Sequence, residues 1–174
     1  MIERRHVDGE TRSRAVYSPC ERYRYVLERQ WSAAPPVLFV MLNPSTATET
    51  ANDPTIERCE RRARAMGHGG LLIGNLFAWR ATRPADLRAA SDPVGPENDA
   101  LLAELLARAG RTIAAWGVHG ALDGAAERFA ARDAELWHLG LTKAGHPRHP
   151  LYVSYAVLPQ RWTGRYAPGT MANR

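Results

Sequence analysis

Val37-Leu38-Phe39-Val40-Met41-Leu42 is apolar at every position and breaks off into Asn43-Pro44-Ser45-Thr46. Alternation would mark a strand with one wet face. An unbroken apolar run of strand length needs cover on both faces, as an inner parallel strand of an α/β fold has. The run therefore calls for helices on both sides of a sheet and delivers a polar loop to the sheet's carboxyl edge, where open α/β folds hold ligands. Asn43 is the first candidate for chemistry, with capping of a turn beside Pro44 as its plain alternative.

The pattern recurs. Gly70 to Ala78 is a second apolar stretch with an asparagine, Asn75, near its end, and Thr112 to Gly117 and Glu135 to Gly140 are a third and a fourth. Between them, Asp53-Pro54 opens a helix with Ile56, Cys59, Ala63 and Met66 on one face, closed by Gly67. A short helix is expected over 86–90. Leu101, Leu102, Leu105 and Leu106 mark another helix, and Leu122, Ala125, Ala126 and Phe129 a further one. Strands joined by segments of crossover length predict one three-layer α/β/α sandwich around a central, mostly parallel four-stranded sheet. Tyr23 to Trp31 roughly alternates and predicts an N-terminal edge strand or hairpin. Residues 1–22 read as an arm, 23–158 as the α/β/α domain and 159–174 as a poorly ordered basic, aromatic tail that includes Arg165 and Tyr166. Tyr152 to Leu158 suits a strand or a helix. Arg58, Arg61, Arg62 and Arg64 read as a solvated helix face.

At 174 residues the chain can bury a full core without disulfide or metal support. Cys20 and Cys59 stand far apart with no CxxC, which argues against zinc and iron-sulfur sites. No apolar run has the length of a membrane span and no leader is evident, so a cytoplasmic protein with no membrane partner is expected. The formal charge of +5 is dispersed and gives only a general attraction to polyanions. His146-x-x-His149 has metal-like spacing, but flanking prolines and the lack of a companion carboxylate argue for no metal, and no cofactor is expected.

Four rim segments come in order: Leu42-Asn43-Pro44-Ser45, Gly74-Asn75-Leu76-Phe77-Ala78-Trp79-Arg80, Ala115-Trp116-Gly117-Val118-His119, and Gly145-His146-Pro147-Arg148-His149-Pro150. With Asp92 to Asp99 they resemble the bacterial family known as domain of unknown function 1643, from about Arg22 to about Trp162. One level up, the same segments resemble the uracil-DNA glycosylase superfamily. That resemblance implies that Asn43 positions an attacking water, that Asn75 reads a pyrimidine edge, and that His146 or His149 stabilises the departing base.

On this reading the catalytic candidates are Asn43, His146 and His149. Substrate-binding candidates are Pro44, Ser45, Thr46, Asn75, Phe77, Arg80, His119 and Arg148. The expected partner is a nucleic acid or nucleotide, and the expected reaction is N-glycosidic hydrolysis. Each residue also has a structural reading: Asn75 as a partner of loop backbone, His119 as a helix cap, Ser45 and Thr46 as solvated loop. Ser45 stands where those enzymes carry glycine, which motivates a non-catalytic binding module as an alternative. A nucleoside hydrolase or transferase acting on free substrates is a third.

Overall fold

Every residue of Val37–Met41 is buried, and the strand lies inside an eight-stranded sheet. The computed structural model describes residues 1–132 and 134–163. In chain order the strands are β1 (Ile2–Asp8), β2 (Thr11–Tyr17), β3 (Arg24–Gln30), β4 (Val37–Met41), β5 (Gly70–Asn75), β6 (Arg111–Ala114), β7 (Leu136–His138) and β8 (Gln160–Trp162). Across the sheet they run β1-β2-β3-β5-β4-β6-β7-β8. Four of the seven pairings are antiparallel, and the three parallel ones, β5/β4, β4/β6 and β6/β7, lie together at the centre. The fold is mixed α/β, and its sheet has eight strands with mostly antiparallel pairings among the described residues, where a mostly parallel central four plus an N-terminal edge strand or hairpin were expected.

Four helices occur among the described residues: α1 (Pro54–Ala65), α2 (Pro84–Arg88), α3 (Asn98–Arg108) and α4 (Ala125–Ala130). Alternate residues of β4 feed two separate cores. Val37, Phe39 and Met41 pack with Ile56, Cys59 and Ala63 of α1, while Leu38 and Val40 pack with Leu101, Leu102 and Leu105 of α3 and with Phe129 of α4. Gly74 of β5 lets α3 come close. A Cβ there would lie 2.5 Å from Leu102 Cδ1.

Residues 1–22 are not an arm. Most of them form the β1–β2 hairpin, and β3 is an inner strand between β2 and β5 rather than an edge. These strands lack a clean apolar period because charge pairs hold them. Arg14 Nε donates to Glu3 at 2.8 Å, Arg14 also reaches Glu28 at 2.8 Å, and Arg108 of α3 reaches the same Glu28 carboxylate at 2.6 Å. Of Tyr152 to Leu158, Tyr152 closes a 3-10 turn, Pro150–Tyr152, and 153–158 is irregular chain, neither strand nor helix. Part of the expected tail is in the sheet: β8 pairs with β7, and Trp162 is buried edge-on to Trp116 with ring centroids 5.3 Å apart. Arg165 and Tyr166 lie outside the described residues.

Candidate functional site

Past the carboxyl ends of β4 and β6 lies a cleft of about 700 Å³. Four segments build it: Leu42 and Asn43 after β4, Thr82 and Pro84 at the start of α2, Trp116 to His119 after β6, and the chain between Thr142 and Tyr152. An apolar annex of about 240 Å³ adjoins it, walled by Leu42, Leu87, Val118 and Leu122. The last segment is tied to the sheet by backbone. Gly117 N–H donates to Pro147 O at 2.8 Å, and Gly117 adopts φ +72°, a conformation open to glycine at little cost.

Asn43 lines the cleft with a defined orientation. Its Nδ2 donates to Pro44 O at 3.0 Å and Ala81 O at 2.8 Å. Two carbonyl oxygens require the amide NH₂ between them, so Oδ1 is the end left over. Among the described residues no hydrogen bond reaches Oδ1, and it is the end free to accept from a ligand or water.

His149 lines the same cleft. Its Nδ1 accepts the Leu151 N–H at 3.3 Å, which caps the Pro150–Tyr152 turn and leaves the proton of the neutral ring on Nε2. Burial lowers its pKa from the ordinary histidine value, against the opposing charge of Asp53. The ring is neutral at pH 7 and offers one N–H. Asp53 itself is the N-cap of α1: one oxygen accepts from Ile56 N at 2.9 Å and the other from Ala47 N at 3.3 Å.

His119 and Arg148 also line the cleft, His119 with its Nδ1 3.4 Å from an Arg88 guanidinium nitrogen. The remaining candidates do not line it. Pro44 is buried, and its carbonyl serves Asn43 and Ala81 N. Ser45 and Thr46 belong to a loop clamped onto β3, where the Arg24 guanidinium donates to Ala47 O and Arg29 to Thr48 O at 2.5 Å. Burial lowers the Arg24 pKa to about 10, which leaves it charged at pH 7. Asn75 is 1% exposed. Its backbone carbonyl accepts from Asn98 Nδ2 at 3.0 Å, and its side-chain oxygen has no partner among the described residues. Phe77 is core, and Arg80 donates to Glu21 O at 3.1 Å beside the Tyr17 ring. His146 is buried in a turn with Thr142, whose Oγ1 accepts its N–H at 3.2 Å, and burial lowers its pKa.

Thr142, Lys143 and Tyr152 line the cleft without having been singled out in the sequence. Their signal was position alone, in the loop after the last apolar strand. Cleft and annex carry Lys143, Arg148, Arg88 and two histidines and, among the described residues, no carboxylate. The described residues hold no group of three or more His, Cys, Asp or Glu suited to a metal ion, and no helix among them is long and apolar enough to cross a membrane.

A family model described as a protein of unknown function, DUF1643, matches residues 24–151. No curated protein and no solved structure matches the chain.

Proposed function

The chain belongs to the DUF1643 family of proteins of unknown function, and we propose from its cleft that it is a base-recognising protein that hydrolyses an N-glycosidic bond of a nucleic acid or nucleotide, in the manner of the uracil-DNA glycosylases it resembles. The observation that carries this is that one cleft, lined by no carboxylate among the described residues, holds both Asn43, whose amide oxygen takes no hydrogen bond from those residues, and a neutral His149 that carries its proton on Nε2.

N-glycosidic hydrolysis needs an acceptor that orients water toward the sugar carbon and a donor to the oxygen of the departing base. The water oxygen bonds to that carbon as the bond to the base nitrogen breaks, the electron pair leaves with the base, and water's proton returns to the base. Asn43 Oδ1 accepts a hydrogen bond from the water. His149 Nε2–H steadies charge on the base without giving up its proton, which suits an imidazole held neutral. A cleft of about 700 Å³ is within the range that holds a small organic ligand, and its cations suit a phosphate nearby.

The test is base release from single- and double-stranded oligonucleotides carrying uracil, hypoxanthine or mismatched bases, with abasic sites detected by strand scission. The wild type should release base, and His149→Gln should slow release by about 10²–10³-fold while binding persists. Asn43→Ala should abolish release, with melting curves recorded beside it because it also strands two carbonyls. Release at an unchanged rate in both variants refutes the roles given to Asn43 and His149, and no release from any substrate refutes hydrolysis. That result would favour a second reading, a binding module without chemistry, which is supported by the use of Asn43 Nδ2 to hold loop backbone and by Ser45 in place of glycine.

A further inference from the structure

We propose that the mouth of the cleft opens onto a track for single-stranded nucleic acid, with Tyr152 stacking on a base, Lys143 and Arg148 meeting phosphates, and the strand continuing over Tyr155 and Arg58. This rests on the reading of the cleft as base-recognising and deepens it by making the ligand a polymer.

Large apolar side chains left in water are concentrated here. Tyr152 is 84% exposed, Leu158 71% and Tyr155 45%, all on one short segment, while Val118 at 53% stands in the cleft wall. Such a cluster on one surface marks an interaction site. The segment is also held in place. Arg58 donates to Pro150 O at 3.2 Å and Val153 O at 2.6 Å, and Arg62 donates to Val153, Ser154 and Val157 carbonyls at 2.9, 2.6 and 3.0 Å. The tyrosines are thus presented on fixed backbone, which lowers the ordering cost of a ligand stacking on them.

Charge identifies the occupant. The Arg58 guanidinium lies 4.4 Å from the centre of the Tyr155 ring, so the outer part of the track presents cation and aromatic together. Lys143 and Arg148 are exposed, and no carboxylate lines the cleft among the described residues. Glu57, on the same helix as Arg58, is already bonded to Arg61 at 2.7 Å. Aromatic rings alternating with cations suit a strand whose base faces are free, and a duplex hides those faces. A mononucleotide would occupy the cleft and leave Tyr155 and Leu158 unused.

Fluorescence anisotropy with a labelled oligothymidylate tests this, because that probe carries none of the target bases used in the cleavage assay. The wild type should bind it, more weakly as salt rises, and thymidine monophosphate should compete far less well. Tyr152→Ala should weaken binding about tenfold, and Tyr152→Phe should not. Lys143→Ala and Arg148→Ala should each reduce the salt slope by about 0.7. Because Tyr152 is exposed, its variants should melt with the wild type. Absent binding, equal competition by the mononucleotide, tighter binding to a duplex of the same length, or an unchanged Tyr152→Ala variant each overturns the proposal. A protein that binds the oligomer but releases no base keeps the track and loses the hydrolysis, and one that releases base from free nucleosides alone does the reverse.

Discussion

At His149 the backbone decides what the ring can offer. Leu151 N–H occupies Nδ1, so a second proton on the ring would set N–H against N–H. His138 is used alike, its Nδ1 accepting from Gly140 N at 2.9 Å, and burial lowers the pKa of His138, His146 and His149 together. The unfolded chain takes up these protons near the ordinary value of about 6.5, and the folded chain only at lower pH. Between those values the unfolded state binds more protons, so stability rises with pH there. The urea midpoint should therefore be level above about pH 6.5 and fall as pH drops through the lowered folded values. His149→Gln should flatten part of that fall, and a midpoint independent of pH from 7.5 to 5.5 would contradict it. Which histidine faces the cleft was not legible in His146-Pro147-Arg148-His149-Pro150. Each is followed by proline, and the choice between them is made by the Gly117–Pro147 backbone contact, which comes from another part of the chain. Asn75 likewise could be found as a polar strand end, but its burial beside Asn98 depends on where α3 lies.

Among elements, those with apolar runs were legible and those held by charge were not. β4 and β5 stand where apolar runs put them, because burial on both faces favours such composition, and β6 and β7 lie within the shorter apolar stretches around Ile113 and Leu136. β1 and β2 hide in the same sequence because Glu3, Arg14 and Glu28 replace apolar pairs with ion pairs across the strands. α1 shows the converse. Its arginines look like a solvated face, yet Arg62 is buried and Arg58 reaches carbonyls of the 150–158 segment. Arg62→Met keeps much of the bulk and removes the donors to three carbonyls. It should destabilise that segment by about 1–3 kcal/mol and speed amide exchange across 150–158, with Arg62→Lys restoring part of the protection. Exchange that quickens equally throughout the sheet would mean that Arg62 supports the core at large rather than this wall of the cleft.

Over the whole molecule, both faces of the sheet are packed and its functional rim is assembled from four separate segments, so the cleft exists only when the crossovers are complete. The span matched by the family runs from β3 into the Pro150–Tyr152 turn, leaving the β1–β2 hairpin and β8 outside it. Those outer strands form both margins of the sheet. A fragment trimmed to 24–151 would keep every residue of the cleft except Tyr152 but uncover the backbone edges of β3 and β7 and take Trp162 from Trp116. Unpaired edges recruit other chains, so the fragment should elute as aggregate on gel filtration where the full chain does not, and a monodisperse fragment would show that the margins are dispensable. The hairpin and β8 thus serve as hems: they carry none of the cleft, and they keep a sheet that does from being continued by its neighbours.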